Sequence, residues 1–391
     1  MTTDPGGPAP MRYMTLQLDV PEAKRDDYTR HAWSARSAGL IDAIEARLSP
    51  ALVVHESSAA RDRLTVRVVF GAPPGDGAEA AVQGIAGARG LAVTSLAIGE
   101  VALDDHRLFD RPIIILSAPR AGSTLLFELL SQLPGVWTVG GESLAIIESV
   151  PALTAASHGW KSGCLTAADA GDATVRTLLD RFIVLLRDRD GRMYVELARQ
   201  DRPRQVRFLE KTPRNALRVP FLSAIFPDAR FVFLHRDARE NIASMIEMWQ
   251  QPSSRPMYDL PGWSGPPWQM LLPPGWRGLD GRSVAEIAAF QWRAANEAIL
   301  DALPALPPGS WHAESYADLT SDPAGTLERI CAFAGAPRDA RFAEVTGAGL
   351  PMSRSVISAP RRDKWRSHEP EIERVIPDVS QVIARLVSVR P

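Results

Sequence analysis

Several short stretches of the chain hold residue types from which chemistry could be built. IIILSAPRAGSTLLFELL (113–130) reads as an apolar run, a tight loop and an amphipathic stretch. Pro119 ends the run, Gly122 permits a tight backbone path, and Ser123 and Thr124 place hydroxyls where a helix begins. The unpaired N–H groups and the positive dipole end of such a helix suit a phosphate or sulfate, and Arg120 adds a full positive charge. The same letters also fit an ordinary strand-to-helix turn with a serine cap. No G-x-x-x-x-G-K-[ST] occurs, which weakens an ATP-dependent reading.

FPDARFVFLHRDARENIASM (226–245) places Arg236 at the carboxyl end of a strand, where open parallel sheets bind ligands. Asp237 caps the next helix, and Ser244 lies about two turns along it. Alone, these two residues are unremarkable. His235 closes an apolar strand and reads as a packed, hydrogen-bonded histidine rather than a base. In VGGESLAIIES (139–149), Glu142 follows two glycines. It is either a general base for a hydroxyl proton or a carboxylate that merely complements a helix dipole. In FLEKTPRN (208–215), Lys211 ends another strand, where it is either a cation for a leaving group or a solvated lysine. Glu210 beside it is expected to pair with a neighbouring cation. SRSVISAPRRDKWRSHEP (353–370) is a basic loop, either a cover for an anion or simply solvated.

These residues need a frame. From Ile113 onward, short apolar runs alternate with helices, the rhythm of a parallel sheet covered on both faces. Strands are predicted at 113–117, 206–210, 230–235 and 310–316, with helices near 122–133, 214–225, 237–249 and 319–335. The stretch 251–279 is a long excursion rich in Pro, Gly and Trp. With Trp249 it carries Trp263, Trp268 and Trp276, which either line or lid an acceptor site or staple the loop to the body. Trp292 should face inward from a helix over 285–300, and Tyr316 and Asp318 are read as structural. Residues 11–103 form a separate small unit: a strand (11–20), a helix from about Pro21 to Leu48, strands 51–56 and 63–70, an Ala/Gly-rich helix and a strand over 91–99. That β-α-β-β-α-β order is ferredoxin-like. Residues 1–10 read as a disordered lead without the basic and apolar regions of a secretory signal, and 104–391 as the second domain.

Composition agrees. A length of 391 residues suggests two domains, and 45% apolar with 23% charged residues excludes extensive disorder. A formal charge of −2 gives no global basicity for a nucleic-acid partner. The two cysteines, Cys164 and Cys331, exclude a disulfide framework and fit a cytoplasmic location. No apolar stretch approaches the roughly 20 residues that cross a bilayer, so no membrane partner is expected. No ligand cluster with metal spacing appears either.

PRAGSTLL resembles the 5′-phosphosulfate loop, P-[RK]-x-G-[ST]-[ST], of sulfotransferases that use 3′-phosphoadenosine 5′-phosphosulfate (PAPS). R-D-x-x-x-N-x-x-S resembles the 3′-phosphate motif of that family, and the segment at Glu142 is similar to its protein-tyrosine sulfotransferase-like branch rather than to the cytosolic enzymes, whose base is a histidine. The resemblance spans about 112–370 and marks a bacterial-type member. It implies a P-loop-type parallel sheet with helices on both faces, here preceded by the small ferredoxin-like α+β unit. It also implies that Arg120, Ala121, Gly122, Ser123, Thr124 and Leu125 hold the 5′-phosphosulfate and that Arg236 and Ser244 hold the 3′-phosphate. Glu142 is then the base, and Lys211 and Arg120 steady the leaving group. Ser358, Arg361, Arg362, Lys364 and Trp365 belong to the K-W-R loop that covers the nucleotide, and no metal takes part. The expected acceptor is a small hydroxylated or phenolic metabolite, with a carrier-protein-bound acyl chain or a peptide tyrosine as alternatives. A P-loop small-molecule kinase and a non-catalytic nucleotide-binding protein stay open.

Overall fold

The structure is a computed structural model that describes residues 11–24, 39–48, 53–60, 63–70, 77–101, 108–250, 257, 260–347, 350 and 364–389. The amino-terminal unit contains β1 (Met11–Asp19), α1 (Leu40–Leu48), β2 (Val53–Ala60), β3 (Arg63–Phe70), α2 (Ala78–Gly87) and β4 (Ala92–Val101). Its strands form an antiparallel sheet in the order β2-β3-β1-β4, the ferredoxin-like arrangement. Met14, Leu16 and Leu18 alternate along β1 onto one face, where α1 and α2 bury Ile44 and Val82 against them. Of the helix expected over Pro21–Leu48, a 3-10 turn at Glu22–Lys24 and α1 are seen, and 25–38 lie outside the described residues. The lead at 1–10 and the domain boundary near 103 lie outside them too.

The second unit runs β5 (Ile113–Leu116), α3 (Ser123–Leu130), β6 (Val136–Trp137), α4 (Leu144–Glu148), α5 (Asp172–Leu185), β7 (Arg207–Lys211), α6 (Val219–Ile225), β8 (Arg230–His235) and α7 (Ala238–Trp249). It continues with α8 (Val284–Ala302), β9 (Trp311–Ser315), α9 (Tyr316–Ser321), α10 (Pro323–Ala334), α11 (Ala340–Gly347) and α12 (Glu369–Ser388). β5 to β9 make one all-parallel sheet in the order β6-β7-β5-β8-β9. Both faces are covered, so the strands are apolar throughout. Ile113 and Ile115 of β5, with Val232 and Leu234 of β8, pack under α3 and α10. Ile114 and Leu116, with Phe231 and Phe233, pack on the other face under α6, α7 and α8.

Two predicted helices are broken, and proline explains both. The segment 214–225 is a 3-10 turn, Pro213–Leu217, followed by α6, because Pro220 is tolerated in a first turn but not inside a helix. The segment 319–335 begins earlier, at Tyr316, and restarts at Pro323 with the Asp322 side chain accepting from the Gly325 N–H. β6 and α5 went unforeseen, β6 because two residues carry no readable period.

Trp249, Trp268, Trp276 and Trp292 are all buried, and Trp263 packs against that group. Trp268 meets Trp249, Trp263 and Trp276 at ring separations of 5.5, 4.9 and 5.6 Å. The indoles therefore staple the excursion to the body. Both cysteines are free. Among the described residues, no helix is long and apolar enough to cross a membrane.

Candidate active site

In this sheet the chain turns from one side to the other between β5 and β8, and a crevice opens there at the carboxyl ends of the strands. Arg120 follows β5 and Arg236 follows β8, so strand order alone brings the two guanidiniums together. Arg236 Nη1 donates to the Arg120 carbonyl at 3.2 Å, and Asn241 Nδ2 of α7 donates to the Pro119 carbonyl at 2.7 Å. These bonds turn two loop carbonyls toward α7.

The loop backbone is left-handed at Arg120 (φ 66) and at Gly122 (φ 99), the residue that caps α3. Only glycine fits the second position, because a Cβ there would stand 2.3 Å from the Tyr316 ring. Tyr316 also receives the Arg236 guanidinium over its face at 4.5 Å, so it shapes the crevice as well as the core. Arg120 Nε donates to Ser244 Oγ at 3.3 Å, and Arg236 Nε to Glu240 Oε2 at 3.1 Å. Burial, with the Arg236 charge beside it, makes the Arg120 guanidinium less basic than usual. Two like charges held in a crevice next to a helix N-terminus fit an anion of more than one charge. Asp237 caps α7 as expected. His235 is half-buried, its ring 5.7 Å from that of Phe233.

Lys211 ends β7 with 3% of its side chain exposed and joins two predicted parts of the site. Its Nζ donates to Thr124 Oγ1 at 3.0 Å and to Glu142 Oε1 at 2.7 Å. Glu142, 44% exposed, stands in the turn before α4. Gly140 makes that turn possible: its φ is 82, and a Cβ would overlap the Arg187 guanidinium. Arg187 was missed by sequence reasoning, since nothing in its surroundings marks it.

Glu210 is not paired with a cation, contrary to expectation. Its side chain points to the other side of β7 from that of Lys211. It accepts from Ser143 Oγ at 2.6 Å and Asn215 Nδ2 at 2.9 Å, while Thr212 Oγ1 accepts from the Ser143 N–H at 2.8 Å. Burial pushes the Glu210 carboxyl up to about 7.

Of the covering loop, Lys364 and Trp365 are described, and Ser358, Arg361 and Arg362 lie outside the described residues. Lys364 Nζ bonds Glu247 Oε2, and Arg239 and Arg366 meet the Trp365 ring at 5.8 and 5.0 Å. Among the described residues, no group of three His, Cys, Asp or Glu side chains could hold a metal ion.

Comparison with known proteins adds the family. A curated Caenorhabditis briggsae protein named "Putative protein-tyrosine sulfotransferase" is 26% identical over 139 residues, 36% of this chain and 44% of that one. The chain thus spans less than half the length of this relative. Among solved structures, a sulfotransferase domain from the curacin biosynthetic pathway is 20% identical, covering 69% of this chain and 97% of that one at a TM-score of 0.39. Sulfotransferase STF1 from Mycobacterium tuberculosis H37Rv is 17% identical, covering 68% and 77% at a TM-score of 0.38. The family model described as the sulfotransferase family matches residues 112–340, more than half of the 391, from just before β5 to the start of α11. The chain belongs to the sulfotransferase family.

Proposed function

We infer that the protein transfers a sulfuryl group from PAPS to a hydroxyl of a small hydroxylated or phenolic acceptor. The observation that carries this reading is the position of Lys211 Nζ, bonded at once to the anion loop through Thr124 and to the candidate base Glu142. The donor, when bound, supplies an activated sulfuryl group and a phosphate that leaves. Arg120, Ala121, Gly122, Ser123, Thr124 and Leu125 would hold its 5′ end, and Arg236 and Ser244 its 3′-phosphate. Lys364 and Trp365 pack on α7 through Glu247 and Arg239, and they would contribute to the cover over the nucleotide.

Glu142 Oε takes the acceptor's hydroxyl proton as the new oxygen–sulfur bond forms. Lys211 and Arg120 neutralise the negative charge that grows on the departing phosphate, already placed and needing little reorganisation. A cytoplasmic location agrees with the two free thiols.

Calorimetry tests the donor. Tight binding of 3′-phosphoadenosine 5′-phosphate (PAP) and much weaker binding of AMP are expected, with that preference lost in Arg236→Ala. Equal affinities for the two nucleotides in the unaltered protein would remove the reading. The likeness to the Caenorhabditis briggsae relative favours peptide tyrosine as a second acceptor class. Transfer of labelled sulfate to a tyrosine peptide, a carrier-bound hydroxyacyl chain and a phenol panel separates these acceptors.

A further inference from the structure

Asn241 lies on α7 between Arg236 and Ser244, inside the stretch assigned to the 3′-phosphate, yet its side chain reaches the loop assigned to the other end of the donor. It is fully buried, and its Nδ2 donates to the Pro119 carbonyl at 2.7 Å. Its Oδ1 is buried with no hydrogen-bond partner. A buried amide that leaves one of its two polar atoms unpaired is costly, so what the other atom holds needs a reason.

The Pro119 carbonyl belongs to the central peptide of a β-turn, which the Ala121 N–H closes on the Ala118 carbonyl at 3.3 Å. Pro119 takes the second position, where its ring fixes a negative φ. Arg120 takes the third, with φ 66. A proline followed by a left-handed residue is a type II turn, whose third position normally belongs to glycine. Arginine is strained there, because its Cβ crowds the backbone. Rotating the central peptide over would give a type I turn, in which the third residue has an unstrained negative φ. That rotation would carry the Pro119 carbonyl away from α7 and break its bond to Asn241. It would also swing the Arg120 side chain, since the direction of Cβ follows φ. In the left-handed form this side chain reaches across to α7, where Nε donates to Ser244 Oγ at 3.3 Å. Arg236 bonds the next carbonyl, that of Arg120, which the rotation leaves in place.

Resting on the sulfuryl-transfer reading, we propose that Asn241 is a positioning residue for the 5′ end of the donor: its amide locks the Pro119–Arg120 peptide in the type II form and so keeps the Arg120 guanidinium in the crevice. Without that bond, relief of the strain at Arg120 favours the rotated turn. Affinity for a 5′-phosphate then falls with the fraction of molecules still in the competent form.

Calorimetry on the full chain compares PAP with adenosine 3′-phosphate, which lacks the 5′ group. The unaltered protein is expected to bind PAP much more tightly. Asn241→Leu keeps the bulk and removes the donor. It should weaken PAP roughly fivefold and leave adenosine 3′-phosphate within about twofold. A role confined to packing α7 would weaken both nucleotides alike. In Arg120→Gly, glycine accepts the left-handed turn and no guanidinium is left to place, so adding Asn241→Leu should cost less than about twofold further. If Asn241→Leu fails to fold, Asn241→Ala carries the same measurements. Equal losses for the two nucleotides, no loss for PAP, or an undiminished loss in the Arg120→Gly background overturns the proposal. An unaltered protein that binds PAP no more tightly than adenosine 3′-phosphate would instead fail the donor reading, so the two failures are distinguishable.

Discussion

Glu142 and Glu210 flank the same strand end and are the same residue type, yet their surroundings differ in every respect that sets carboxylate chemistry. Glu142 is nearly half exposed and bonded to a cation. Glu210 is sealed, bonded to the neutral donors Ser143 and Asn215, and its Oε2 has no partner. The strand's alternation separates the two, sending Lys211 to the crevice and Glu210 to the interior. One side of β7 thus carries the proposed proton acceptor with its cation, and the other holds the turn on which Glu142 stands. Ser143, next to Glu142 in sequence, is fastened there through its hydroxyl to Glu210 and through its N–H to Thr212 Oγ1.

Breaking the outer side should have the largest effect. Glu142→Gln is expected to lower turnover by about 10²–10⁴-fold with PAP affinity nearly unchanged, read from steady-state kinetics and calorimetry. Lys211→Met should cost about 10²–10³-fold in kcat, since it removes a prepositioned charge from the crevice. If Glu210→Gln abolished turnover as fully as Glu142→Gln, the division between the two sides would be wrong.

The inner side is instead expected to report through stability. The Glu210 carboxyl rises from 4.5 to about 7 on folding, so its contribution is fully present below 4.5 and lost as pH rises through about 7. Between those limits the unaltered protein should lose roughly 3 kcal/mol relative to Glu210→Gln, which cannot ionise. Urea unfolding of the pair from pH 4.5 to 8 measures this, and parallel curves would show that the carboxyl is already ionised in the fold. The smallest effect is expected away from β7. Asn241→Ala removes the bond to the Pro119 carbonyl and should lower stability by about 1–2 kcal/mol, with a few-fold weaker PAP binding by calorimetry.

The parts of the site that lie close in sequence were legible there. The apolar run, Pro119 and Gly122 mark β5, its loop and α3 because each is a local constraint on the backbone. Arg236, Asp237 and Ser244 could be placed because a strand end and a helix period locate them. What was not legible depends on distant partners. Nothing near Glu210 tells that Ser143, 67 residues away, will be its donor. The left-handed backbone of Arg120 and the Arg187 guanidinium against Gly140 belong to the same class. The tryptophans of the excursion showed rigid apolar surface but not which way it would face.

That packing has an optical consequence. Indoles held edge to face at 4.9–6.4 Å exchange excitation, so four of the ten tryptophans act as one coupled chromophore. Its near-ultraviolet dichroism belongs to the docked excursion and vanishes when that segment lifts off, even where the parallel sheet stays intact. The protein thus carries its own gauge of whether the long loop is seated, readable in solution without a label.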